Sequence, residues 1–311
     1  MEFTPPPPSE PSPRSPAPPG EGDPRSWRGA EPPPPAAPKR KPFPGILQAV
    51  GLSIVAALLG VVAAMMYMLV RGMSLDDLEA TSLGMIAAIN TGAFLAAAAF
   101  GWILTRLPLG VVFPWKLPPT RLVLGLLLTA PGLVAVLNVI VAGLLSLPGT
   151  EWMEDLSGGL LEELTQLMLA NRGLAFAVVV IMAPITEETF FRGLLLGGFS
   201  RRYSPRVAIL AAALFFAVFH GNPIQFIPTL ALGVYFGWLR LASGSLVAPV
   251  LAHALNNLTV LLAVWSDPDA AMSDSGEMFP PVSIILAAVL VVLLGLRVVR
   301  GSLPARDQHP G

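Results

Sequence analysis

The chain contains no cysteine, which excludes disulfides, thiolate metal ligands and a cysteine nucleophile and leaves the redox compartment open. Charge is scarce as well: 13% of the 311 residues are Asp, Glu, Lys or Arg, about half the share typical of a soluble globular domain. The net charge of −1 and pI near 6.3 provide no basic face to track phosphates, which argues against nucleic acid as a partner. Apolar residues dominate instead, at 54% of the chain with a mean hydropathy of +0.68. That balance excludes an ordinary soluble protein.

The apolar residues are grouped. Residues 1–43 form a Pro-rich tail with Pro5–Pro8 and Pro32–Pro35, too polar and too rich in proline to offset ordering entropy, so a disordered or PPII-like cytoplasmic extension is expected. Its length and the lack of a small-residue cleavage site speak against a secretory signal; a proline-motif ligand is the other role compatible with it. Beyond it, apolar runs lie near 46–70, 83–105, 122–146, 174–197, 207–220, 224–242, 245–265 and 282–299. Most approach the ~20 residues that cross hydrocarbon as a helix. The pattern predicts an all-α, polytopic transmembrane bundle of about eight helices. The run at 207–220 is short and is broken from the next by Gly221-Asn222-Pro223.

Lys39, Arg40, Lys41, Arg106, Lys116, Arg121, Arg201, Arg202, Arg206, Arg240, Arg297 and Arg300 fall at alternate connections, and the acidic loops fall between them. The positive-inside rule then sets both termini in the cytoplasm. The bias for arginine over lysine, with abundant Ala, Pro and Gly, suggests a bacterial protein and hence the bacterial inner membrane. The acidic connection 147–173 carries Leu160, Leu161, Leu164, Leu167 and Met168 at helical spacing, as a surface amphipathic helix would.

Within the fourth run stand Glu187, Glu188 and Arg192. An ionisable group at bilayer depth costs at least ~2.5–3.5 kcal/mol, so such residues face a protein interior and are functional candidates. Glu188 and Arg192 share a helix face and can pair. Pro184, just before, frees a backbone carbonyl and can bend the helix. His220 ends the fifth run, and His253 and Asn257 share one face of the seventh. By helical rise Glu187 lies roughly 20 Å from the outer boundary, His220 roughly 20 Å and His253 roughly 12 Å from the inner one. With tilt, the three motifs can meet at one depth.

A glutamate beside a histidine can deprotonate water, and a second histidine with an amide can donate hydrogen bonds to an oxyanion. The same Glu187, His220 and His253 could instead hold a divalent metal such as zinc. Structural alternatives stand beside these: an interfacial Glu188–Arg192 ion pair, a His220 that only bonds a carbonyl, and interhelical hydrogen bonding by His253 and Asn257. Asn90 and Asn138 are expected to bond between helices in that way.

Glu187-Glu188-x-x-x-Arg192, Phe216-x-x-x-His220 and His253-x-x-x-Asn257 resemble, in order and internal spacing, the three motifs of the CPBP family. These are the CAAX proteases and bacteriocin-processing (Abi) enzymes related to type II CAAX prenyl endopeptidases. The resemblance covers about residues 173–265 and implies an intramembrane endopeptidase with a helix-lined cavity open toward the cytoplasm. By that resemblance Glu187 and His220 activate water, His253 and Asn257 form the oxyanion hole, and Glu188 and Arg192 orient the site. Phe216 would contact substrate, and metal dependence stays open. The implied partners are membrane lipid and a membrane-anchored or lipidated peptide substrate.

The expected division is thus 1–43 as tail, 44–172 as N-terminal helices with the acidic segment, 173–265 as catalytic core and 266–311 as a last helix and short tail. A non-catalytic scaffold or bacteriocin-immunity protein of the same fold is the alternative, and a proton-relaying transporter a third possibility, though no internal repeat supports transport. No His-Glu-x-x-His, intramembrane aspartate pair or phosphate-cradling Gly-Lys motif occurs. A Ser245–His253 dyad lacks the Gly-x-Ser-x-Gly setting.

Overall fold

The computed structural model describes residues 41–72, 83–268 and 281–303, apart from the side chains at 158, 160 and 161. The Pro-rich tail up to residue 40 and the acidic stretches 73–82 and 269–280 lie outside the described residues. Among those described, the structure is helical and no strand occurs. The long helices are α1 (Ile46–Arg71), α2 (Leu83–Thr105), α3 (Thr120–Leu145), α4 (Glu151–Ala170), α5 (Arg172–Phe199), α6 (Pro205–Phe219), α7 (Pro223–Ser243), α8 (Val247–Ser266) and α9 (Val282–Arg300). Seven of them, all but α4 and α6, are long and apolar enough to cross a membrane. The protein is a multi-pass membrane protein. The fifth apolar run becomes α6, a helix of 15 residues that falls short of a full span.

Helix ends follow local chemistry. Gly45 precedes α1 with its N–H donating to Gln48 Oε1 at 2.8 Å, and Gly72, at φ 64°, closes the helix in the left-handed region. Asn222 caps α7 by accepting from Ile224 N–H and Gln225 N–H, with Pro223 in the first turn where its missing donor is not needed. The expected amphipathic segment is α4: Leu164, Leu167 and Met168 turn inward, while Glu151, Glu154, Asp155, Glu162 and Glu163 are exposed.

Close packing between helices falls on small residues. α9 lies against α3, where a Cβ on Gly132 would meet the Ala288 carbonyl oxygen at 2.9 Å and one on Gly295 would meet Thr129 backbone. In lipid the hydrophobic effect does not drive helices together, so such close approach and its dispersion contacts hold the pair. At the arginine-bearing ends the bundle is solid: Phe190, Leu194, Leu195, Leu196, Phe199 and Leu246 are all fully buried in one cluster. There the 106–119 connection is pinned to the α7–α8 turn, as Ser245 Oγ donates to Lys116 O at 2.5 Å and Leu246 N–H to Pro114 O at 2.9 Å. Ser245, the serine of the dyad considered above, is therefore committed to a structural bond.

Gly295→Val should overpack the α3–α9 contact and lower stability by about 1–3 kcal/mol. Thermal unfolding in detergent measures it, and a midpoint equal to wild type would refute the close-packing account.

Candidate active site

α5 is not a regular α-helix. It widens into π-helical turns over Phe176–Met182 and Thr189–Leu195, on either side of the six residues Ala183–Glu188. Such turns often mark functional positions, because they leave backbone groups free for other partners. At the first, Ala183 N–H bonds Val178 O, five residues back. The next residue in that register is Pro184, which has no N–H to offer Val179 O. Asn257 Nδ2 takes that place, donating to Val179 O at 2.9 Å. The carbonyl that proline was expected to free is thus what docks the third motif against the first.

Below this point Glu188 and Arg192, one turn apart, form an ion pair at 2.8 Å with both side chains 0% exposed. Two buried charges are costly unless paired and further hydrogen-bonded. Here Arg192 Nη2 also donates to Gly233 O at 3.3 Å, and the guanidinium lies 4.2 Å from the Phe216 ring centroid and 5.3 Å from that of Phe236. Glu188 Oε1 accepts a second bond, from His253 Nδ1 at 2.9 Å. A carboxylate paired with arginine only accepts, so Nδ1 carries the proton and Nε2 is turned the other way. His253 Nε2 then stands 3.9 Å from Glu187 Oε2. That oxygen is buried and has no protein hydrogen-bond partner, while the Glu187 side chain as a whole keeps 20% exposure.

His220, just past the end of α6, is held through Nδ1 by Phe216 O at 2.8 Å, which leaves Nε2 unused by that bond. The carbonyl bond foreseen as its structural alternative is therefore present, and the residue lines the cavity as well. Phe216, expected to contact substrate, is 1% exposed. Its ring sits edge-on to His220 at 4.7 Å and to His253 at 5.7 Å, so most of its surface is spent on positioning the histidines and Arg192. His253 also stacks on Phe236 at 5.1 Å.

All of this opens on one cavity of about 850 Å³. Glu187, Phe216, His220, His253 and Asn257 line it together, while Glu188 and Arg192 lie beneath, behind the wall. Glu187 and His220, joined in the sequence reading, share this cavity, and Glu187 also stands beside His253. Asn90 and Asn138, expected to bond between helices, line this cavity too.

Asn256 was missed. It is 7% exposed, lines the cavity and donates from Nδ2 to Asn257 Oδ1 at 3.4 Å, a weak bond. The chain of bonds fixes its polarity. Val179 O can only accept, so Asn257 presents its amine there and its oxygen to Asn256, whose own Oδ1 is left without a partner. Nothing in the spacing distinguished Asn256 from its neighbour; the one available signal was a second amide in an apolar run.

Residues 170–259 match the family described as type II CAAX prenyl endopeptidase, Rce1-like. This segment is an Rce1-like domain. It holds all three motifs, and α1–α3, all of α4 but its last residue, the end of α8 and α9 lie outside it. An uncharacterized 24.3 kDa protein of Escherichia coli is 36% identical over 86 residues, which are 26% of this chain and 39% of that protein. The chain thus covers well under half of that relative's length. No solved structure matches.

The donors expected to hold a metal, if one is bound, line the same cavity without forming a three-ligand group. Among the described residues no three His, Asp or Glu side chains are grouped so as to hold an ion. His253 Nδ1 bonds Glu188 and His220 Nδ1 bonds a carbonyl, which leaves Nε2 of each as the open ring nitrogen. As placed, Glu187, His220 and His253 do not form such a group.

Arg192→Met should cost about 3–5 kcal/mol by leaving Glu188 charged and buried without its partner. Adding Glu188→Leu should recover part of that loss. The pair can be read by thermal unfolding, and a single variant as stable as wild type would show that the buried charges are not coupled.

Proposed function

We propose that the chain is an intramembrane endopeptidase of the CAAX-prenyl-endopeptidase type. It would hydrolyse a peptide bond in a membrane-anchored or lipidated protein or peptide, in a bacterial cell membrane. The observation that carries this is the Glu187 carboxylate oxygen, buried, unpartnered and 3.9 Å from His253 Nε2 in a cavity that His220 and Asn257 also line.

Glu187 serves as the base. With His220 it holds a water, removes its proton and directs the hydroxide to the carbonyl carbon of the scissile bond. The oxygen of that carbonyl becomes the oxyanion. It faces His253 Nε2 and the second N–H of Asn257 Nδ2, the first being taken by Val179 O. Water oxygen and oxyanion are bonded to the same carbon, so a base and an oxyanion donor about 4 Å apart suit one tetrahedral centre. In this role His253 carries protons on both nitrogens, with Nδ1 anchored on Glu188. When the intermediate collapses, the C–N bond breaks and Glu187 returns the proton to the departing amine. The apolar walls around these groups strengthen each interaction by lowering the local dielectric.

Glu187→Gln removes the base while keeping the shape of the side chain. Cleavage should fall by about 10²–10⁴-fold, with membrane insertion and thermal stability unchanged. Comparing the C-terminal and juxtamembrane peptides of membranes holding wild-type or Glu187→Gln protein provides the readout. Identical peptide sets would leave a scaffold of the same fold as the better account.

A further inference from the structure

The cavity runs from the mid-bundle site toward one end of the bundle. Leu83 begins α2 and Asn90 follows two turns later; Asn138 lies two turns before the end of α3; Met168 is near the end of α4; and Gln225 is in the first turn of α7. Leu83, Asn90, Asn138 and Met168 lie toward the ends that connect through the acidic segments, and Gln225 lies by the short 220–222 turn, at the end of α7 away from Arg240. The other ends, which bear Arg106, Arg121, Arg201, Arg206, Arg240 and Arg300, contribute none of the lining residues. Between them and Glu187 stands the solid cluster of Phe190, Leu194, Leu195 and Phe199, with Arg192 and Glu188 locked above it. That packing closes the arginine-bearing end over the site.

From this placement and the positive-inside rule we infer that the site is served from the extracytoplasmic face. Its substrates are then peptide segments presented at or beyond the outer boundary of the membrane. The resemblance in the sequence implied a cavity open toward the cytoplasm; the register of the lining residues points the opposite way. Helix α4 forms the roof on that side. Its Leu164 and Met168 face the cavity, its acidic residues face water, and Trp152 and Leu156 are exposed at 56% and 69%, as befits a helix lying in the interface. An arriving peptide would pass beside α4, where the carboxylates disfavour an acidic segment and favour a basic or neutral one.

The substrate part of this inference rests on the proteolytic function proposed above; the direction of access does not. The natural lack of cysteine makes the direction directly measurable. Single cysteines are placed at Glu154→Cys on α4, Gln225→Cys in the cavity wall and Arg206→Cys at the opposite end. In intact spheroplasts, a membrane-impermeant sulfonated maleimide should label Glu154→Cys, and a small charged methanethiosulfonate should reach Gln225→Cys. Arg206→Cys should react only after the membrane is opened. Protection of Gln225→Cys in intact spheroplasts, or labelling of Arg206→Cys there, would overturn the assignment. Labelling as expected in a protein that cleaves nothing would uphold the direction of access and strike only the protease function.

Discussion

The site depends on a single buried contact, Glu188 Oε1 shared between Arg192 Nη1 and His253 Nδ1. It joins α5 to α8 at mid-bundle and decides which nitrogen of His253 faces the cavity. The rings of Phe216 and Phe236 flank the guanidinium, and the Gly233 carbonyl accepts a further bond from it. A charge pair removed from water is a poor source of net stability. Its worth here is geometric: it turns Glu187, one residue before, into the free carboxylate opposite His253.

The second constraint is the carbonyl orphaned by Pro184. A π-turn followed by proline leaves Val179 O without a helical donor, and Asn257 supplies one. That bond sets α8 in register with α5, so Asn257, Asn256 and His253 present one polar stripe to an otherwise apolar cavity. Backbone irregularity at membrane depth is tolerated only where another polar group compensates. In this protein the compensation and the candidate oxyanion donor are the same side chain.

Much of this could be seen in the residues alone. Hydropathy placed every long helix within a few residues, and the rarity of charge in the apolar runs singled out Glu187, Glu188 and Arg192. The i,i+4 spacing of Glu188 and Arg192 allowed the ion pair that the structure shows. Other features were out of reach, because they depend on which helices touch. Spacing along α8 could not say that His253 would stand beside Glu187, since that follows from the Glu188 bond between residues 65 apart in the chain. Nor could it show that Phe216 would be buried among the histidines, or that Asn90 and Asn138 would reach the same cavity as the motifs. The end of the bundle toward which that cavity runs is likewise a property of packing.

The central claim is that Glu187 activates a water for direct attack on a peptide carbonyl. Single-turnover cleavage in ¹⁸O-water, using a peptide whose processing requires the protein, tests it most directly. One ¹⁸O atom should appear in the new C-terminal carboxylate in the first turnover, with none in Glu187. If ¹⁸O appears first in Glu187 and the product carries unlabelled oxygen, the carboxylate is a nucleophile and the account is contradicted.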